Sequence, residues 1–202
     1  MRISELSERT GVPIATVKYY IREGMLPRGT ASGATRADYG DEHVARLRLI
    51  TALTRLAGLP LARVREVLTS IDTPTDDPVA AIGRAIGALP PYVEDDGDHS
   101  RAQAAIEALG LTFDPRFTAV AQLESAIRAL EAAGLPSDPE TLRRYGDAMM
   151  QVAAGEVAPV ERMDRRDAVE YAVLGTALYE PVMLALRRLA HQHRLVTADP
   201  GP

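Results

Sequence analysis

Cysteine is absent from the 202 residues. That excludes disulfides, thiol catalysis, thiolate redox sensing and Cys-ligated metal. Tryptophan is also missing and only two phenylalanines occur, too few for a wide pocket of stacked rings. No uninterrupted apolar run long enough to cross a bilayer and no signal peptide stand out. The expectation is therefore a soluble, cytoplasmic chain without a membrane segment. Gly-rich phosphate loops, nucleophile–base pairings and metal-ligand spacings are missing too. His43, His99, His191 and His193 suggest no catalytic pairing, so neither an enzyme nor a cofactor is expected.

Charge is unevenly spread. Residues 1–71 hold 11 Lys and Arg against 7 Asp and Glu, a balance of +4. Residues 72–202 hold 12 against 21, a balance of −9, and the two give the net −5. Such asymmetry fits an N-terminal part that faces nucleic acid and a second part that does not. Random drift of surface charge is the alternative.

The stretch Ile3–Pro27, ISELSERTGVPIATVKYYIREGMLP, reads as a short helix, a tight turn and a second helix. Ser4 suits an N-cap, and Thr10-Gly11 suits a helix end, where glycine accepts left-handed geometry. Pro13 fits the first turn of the next helix. There Ile14, Val17 and Ile21 form a core stripe at i, i+3 and i+7. Ala15, Lys18, Tyr19 and Arg22 form a second stripe. Two cations, a phenolic hydroxyl and a small residue are what a helix entering a major groove presents to phosphates and base edges. Two helices on a short glycine turn make a helix-turn-helix. Residues 28–40, RGTASGATRADYG, then read as a hairpin or wing on the phosphate backbone, or as a plain surface loop.

On these residues the chain resembles the MerR family of transcription regulators. The motif comprises Tyr19 and Tyr20 in the recognition helix, the exit Gly24-Met25-Leu26-Pro27, Arg36 and Tyr39 in the wing, and Gly58-Leu59-Pro60-Leu61 opening a later helix. The resemblance spans residues 1–71. It implies a winged helix-turn-helix acting on double-stranded promoter DNA as a homodimer that engages RNA polymerase. Thr16, Lys18, Tyr19, Tyr20, Arg22, Arg28, Arg36 and Tyr39 are the DNA-binding candidates. Metal-sensing and redox-sensing members work through cysteines, which this chain lacks. The family's long dimerisation helix is also missing where expected. Residues 78–88 are a short stretch with Gly83 and Gly87, stopped by Pro90-Pro91.

The fold class expected is mainly α. A DNA-binding domain occupies 1–71, a linker and short helix 72–99, and a helical effector or dimerisation domain 100–196. Within the first domain, helix 41–57 places Val44, Leu47, Ile50, Leu53 and Leu56 inward. Arg46 and Arg48 either touch phosphate or lie on a solvated face. Leu61, Val64, Val67, Leu68 and Ile71 face inward on the next helix. A break follows over 72–78.

Residues 94–99, EDDGDH, read as a flexible acidic linker rather than a metal site. Helices follow at 100–109, 115–133, 139–154 and 164–195. Gly110…Asp114-Pro115 and Gly134…Asp138-Pro139 repeat one joint, a glycine cap followed by an Asp N-cap and Pro. Pro181 interrupts the last helix, and the tail from Thr197 is unstructured. Tyr145, Met149, Tyr171, Tyr179 and Met183, with Met150 and Glu180, either line a cavity for a small apolar effector or pack the core. An adaptor whose C-terminal domain binds a protein partner and no ligand is the competing reading.

Overall fold

The computed structural model describes residues 1–33, 36–73 and 78–198. Pro74–Asp77 of the expected break and residues 199–202 of the expected tail lie outside them. The chain is 70% helical with one two-stranded antiparallel sheet. It divides into two compact units, residues 1–68 with the segment from Thr176, and residues 69–175. These limits differ from the expected domains: one falls inside the helix after Pro60, the other inside the last helix.

In the first unit, α1 (Ile3–Thr10) and α2 (Ile14–Arg22) form the helix-turn-helix. α1 starts one residue before Ser4, and the Arg2 backbone N–H donates to Glu5 Oε2 at 2.7 Å. Its end is as expected, because Gly11 takes φ 67° and donates to the Ser7 carbonyl. The turn is tied by the Ser7 hydroxyl, which donates to the Val12 carbonyl at 2.7 Å.

β1 (Thr30–Gly33) and β2 (Arg36–Asp38) pair as a short hairpin, with Thr30 opposite Asp38 and an irregularity between Ala31 and Gly33. α3 (Asp41–Thr51) follows and packs on α1. Leu6, Val17, Met25, Leu26, Leu47, Ile50 and Leu53 are almost fully buried and make the core of this unit.

Two residues depart from the expected helix faces. Ile14 is 38% exposed, and Tyr20 takes the buried position beside Val17. Leu56 is 69% exposed. The cause is local: Ala52–Leu56 form a π-turn after α3, and the wider ring shifts the phase of every following side chain. α4 (Leu61–Asp72) then buries Val64, Val67, Leu68 and Ile71 as expected.

The second unit contains α5 (Pro78–Gly87), α6 (Ser100–Ala108), α7 (Thr118–Ala132) and α8 (Pro139–Val157). Ala102, Ile106 and Val120 form its α6–α7 core, with Phe113 and Leu123 packed against them. The twin joints are alike at their glycines, with φ 68° at Gly110 and 67° at Gly134. They differ at the aspartates. Asp138 caps α8 by accepting from the Glu140 and Thr141 N–H groups. Asp114 instead pairs with Arg116, and α7 starts only at Thr118.

The 94–99 loop is bonded rather than free. Arg128 reaches Asp96 at 2.6 Å, Asp98 at 3.0 Å and Glu124 at 2.9 Å, and Asp95 pairs with His99 at 2.8 Å. Like charges would repel, but one guanidinium and nearby backbone N–H groups offset them. Glu124, 2% exposed, also accepts from the Arg101 and Ala102 N–H groups at the start of α6. Burial works against its charge, yet the Ala102 N–H, Arg128 and Arg101 prevail and hold the carboxyl below its ordinary value.

α9 (Arg165–Ala198) crosses the limit between the units without a break at Pro181. Thr197 and Ala198 belong to it rather than to a tail. By length and composition it could cross a membrane, with mean hydropathy 1.3 in its most apolar window. The expectation of no such segment is corrected to that extent. Glu170, Glu180 and Pro181 interrupt the run, so continuity of apolar residues did not disclose it.

Two outcomes follow. Leu47→Ala removes a fully buried side chain and should cost about 2–5 kcal/mol in urea unfolding, while Leu56→Ala stays within about 0.5 kcal/mol. Glu124 has a lowered folded-state pKa, so its stabilisation is present above its ordinary value of 4.5 and lost as pH falls through the folded value. Acid titration of stability should therefore show a smaller loss in this range for Glu124→Gln than for the native chain.

Candidate nucleic-acid interface

α2 turns its sides to different surroundings. Val17 and Tyr20 enter the core, whereas Lys18 and Arg22 are exposed and Thr16 and Tyr19 are half-buried. The Arg22 guanidinium lies 5.3 Å from the Tyr19 ring centroid, a cation–π arrangement that holds the side chain on the helix surface. The Tyr19 and Tyr20 rings are 5.8 Å apart. Lys18, Arg28 and Arg36 have no ion-pair partner among the described residues. Elsewhere in the unit arginines are paired: Arg9 with Asp41, Arg63 with Glu66 and Arg65 with Glu23. Arg22 lies 3.8 Å from Glu23, which Arg65 also holds, so among the described residues Lys18, Arg28 and Arg36 are the cations of α2 and the hairpin left for an external anion.

The eight sequence candidates divide into two groups. Lys18, Arg22, Arg28 and Arg36 are exposed on α2 and the hairpin, with Thr16 and Tyr19 partly accessible beside them. Tyr20 and Tyr39 are buried and act through packing. Tyr39 closes the hairpin from inside. Its N–H donates to the Met1 carbonyl at 2.9 Å, and its carbonyl accepts from the Met1 ammonium at 2.9 Å. Its ring meets His43 edge-on at 5.1 Å. Gly29 is required beside it, since an added Cβ would stand 2.7 Å from the Asp38 carbonyl oxygen.

Arg46 is neither a phosphate contact nor a solvated residue. It is buried, and its Nε donates to the Met25 carbonyl at 2.9 Å. Met25 and Leu26 are buried after Gly24, whose φ of 72° turns the chain back, and both donate to the Tyr20 carbonyl. Arg46 therefore fixes the exit of α2. No sequence pattern separated it from the exposed Arg48 one turn face away.

This winged helix-turn-helix coincides with the match to the model of the MerR HTH family regulatory protein, over residues 1–71. The full chain is also similar to a crystal structure from Streptomyces coelicolor A3(2), SCO5550, described as a candidate transcriptional regulator. Identity is 30%, coverage is 100% of this chain and 99% of that one, and the TM-score is 0.71. The chain belongs to the MerR family. It is a DNA-binding transcription regulator with a helical region after its reading head. Among curated proteins, none matches the sequence.

The residues considered for an effector site are placed differently. Tyr145 and Met149 are about half exposed on α8, which buries none of its side chains. Tyr171 and Met183 are half-buried and Tyr179 is half exposed on α9, where burial pushes the Glu180 carboxyl above its ordinary value. Two cavities lie among the described residues of the second unit, and none of these five residues lines either. One, of about 220 Å³, lies among Ala105, Leu109, Ile127 and Leu142 with Arg101 and Glu131 at its edge. The other, of about 90 Å³, is the Arg128 cluster. Gly146 lets α8 approach Leu109 closely, where an added Cβ would meet Cδ2 at 2.5 Å.

Lys18→Ala should weaken binding to a promoter duplex by at least about 1 kcal/mol and lower the salt slope by about one unit, without moving the unfolding midpoint. Arg46→Ala should instead lower stability by about 1–3 kcal/mol by leaving the Met25 carbonyl unsatisfied. Fluorescence anisotropy at several salt concentrations and urea unfolding check the pair.

Proposed function

We propose that this MerR-family protein is a homodimeric, sequence-specific regulator of a promoter pseudo-palindrome. The observation that carries the reading is the set of exposed cations Lys18, Arg28 and Arg36, without an ion-pair partner among the described residues, in a winged helix-turn-helix. Arg22, stacked near Tyr19, adds a planar donor suited to phosphate or to guanine. Each copy reads one half-site, and a two-fold dimer reads both. RNA polymerase is the second partner, engaged after the dimer adjusts the spacing of promoter elements by bending the duplex. The protein acts in the cytoplasm and performs no chemical conversion.

The helical region after the reading head senses a small apolar molecule or mediates assembly. The cavity beside Leu109 and Ile127 favours an apolar ligand over a polar one, because its walls are mostly aliphatic and its charged pair lies at the edge. The adaptor reading is supported by the exposed apolar residues of α8 and α9, which suit a protein surface.

The test is the molar mass of the purified protein, alone and with a duplex of its own upstream promoter region. A dimer that shifts this duplex and spares a scrambled one is expected. A protein that ignores the duplex at low salt overturns the regulator reading. A thermal-shift screen then separates sensor from adaptor, because a ligand bound only to the folded state raises the melting temperature.

A further inference from the structure

Lys18 is the single lysine among the 202 residues, against 22 arginines. Wherever else the chain carries a permanently cationic side chain, that side chain is a guanidinium. The one exception stands on α2, within the surface offered to DNA. Either cation serves a phosphate contact. They differ in chemistry. A guanidinium stays protonated at any physiological pH and has no free electron pair for an acyl carbon. A lysine amine can be acylated, and acylation removes its charge.

The surroundings leave this amine accessible. Lys18 is exposed and has no ion-pair partner among the described residues. α2, with the sequence IATVKYYIR, carries no carboxylate to hold it. The other amine of the chain, the Met1 ammonium, is partly buried and donates to the Tyr39 carbonyl at 2.9 Å. Arg22 follows four residues after Lys18, on the same side of the helix, with its guanidinium near the Tyr19 ring. It adds a positive charge that attracts an anionic reagent to this face.

We propose that Lys18 is a modification site, at which an acyl group delivered by an anionic activated donor, an acyl phosphate or a coenzyme A thioester, switches off DNA binding. The inference rests on the regulator reading and adds a covalent control to it. The step needs no oxidant or reductant. The ammonium releases a proton to water, and the neutral nitrogen attacks the acyl carbon. A C–N amide bond forms while the bond from the acyl carbon to the leaving oxygen or sulfur breaks. Phosphate or the coenzyme A thiolate departs with the electron pair, and the second proton of the nitrogen passes to the leaving group or to solvent.

The product is a neutral amide where a phosphate-facing cation stood. DNA and the acyl donor compete for the same amine, so a bound duplex shields Lys18 and only the free protein is modified. Because no second lysine exists, one reaction per chain completes the change.

The experiment treats the full chain with acetyl phosphate or with acetyl coenzyme A, with and without the duplex of its own promoter region. Peptide mass spectrometry locates the label, and fluorescence anisotropy reads binding. One acetyl group per chain is expected at Lys18, and the donor that places it there is the source. Affinity for the duplex should then fall at least about fivefold, the scale of one lost cation, with unchanged circular dichroism. Saturating duplex should slow the labelling. Lys18→Gln should show the weakened affinity without treatment, and Lys18→Arg should keep its own starting affinity through it. Labelling of Met1 in preference to Lys18, no labelling by either donor, or an acetylated chain that binds as before overturns the switch and leaves the regulator reading intact. A loss of binding accompanied by a loss of helical signal is unfolding and overturns the switch as well. A native chain that ignores the duplex before any treatment overturns both.

Discussion

Arg46 holds its guanidinium inside the first unit and donates to the Met25 carbonyl. A buried cation carries a large desolvation cost, so it is kept only where hydrogen bonds offset that cost. Here the bond connects α3 to the exit of the recognition helix. Met25 and Leu26 are drawn inward, their N–H groups meet the Tyr20 carbonyl, and Tyr20 closes the face of α2 that Val17 begins. Lys18 and Arg22 are thereby left outward. The direction in which the helix offers its cations thus depends on a buried residue outside that helix.

The second unit uses an opposite charge in a similar way. Glu124 is a buried carboxylate at the start of α6, held by two backbone N–H groups and by Arg101 and Arg128. Arg128 extends the connection to Asp96 and Asp98. A loop whose composition suggests mobility is ordered because its charges converge on a guanidinium supplied by α7. Composition alone carries no information about that convergence.

Most of the reading head was legible in sequence, because its signals are local. The Gly11 end of α1, the basic stripe of α2, the hairpin and the buried face of α4 each follow from a few neighbouring residues. What escaped was set by packing across the unit. Tyr20 displaced Ile14 from the core because the chain exit after Gly24 needed a ring to close on. Tyr39 carries a hydroxyl suited to DNA, yet its backbone pairs with Met1 and its ring goes inside. The effector candidates Tyr145 and Met149 were chosen by residue type, but α8 presents them outward. Asp114 and Asp138 each follow a Gly-Leu pair and precede a proline, yet only Asp138 caps a helix, because Arg116 stands two residues after Asp114 where Glu140 follows Asp138.

The π-turn at Ala52–Leu56 makes chain length and direction interdependent in this segment. Each residue of an ordinary helix advances the side-chain direction by about 100°. The wider ring accommodates a residue without lengthening the helix by a full step. A one-residue deletion there could be absorbed by closing the ring to ordinary helix, with α3 intact. It would also swing Leu59 and the start of α4 about the helix axis. The register between the two helices is therefore stored in a single enlarged turn, where lineages can change the angle between elements by gaining or losing one residue.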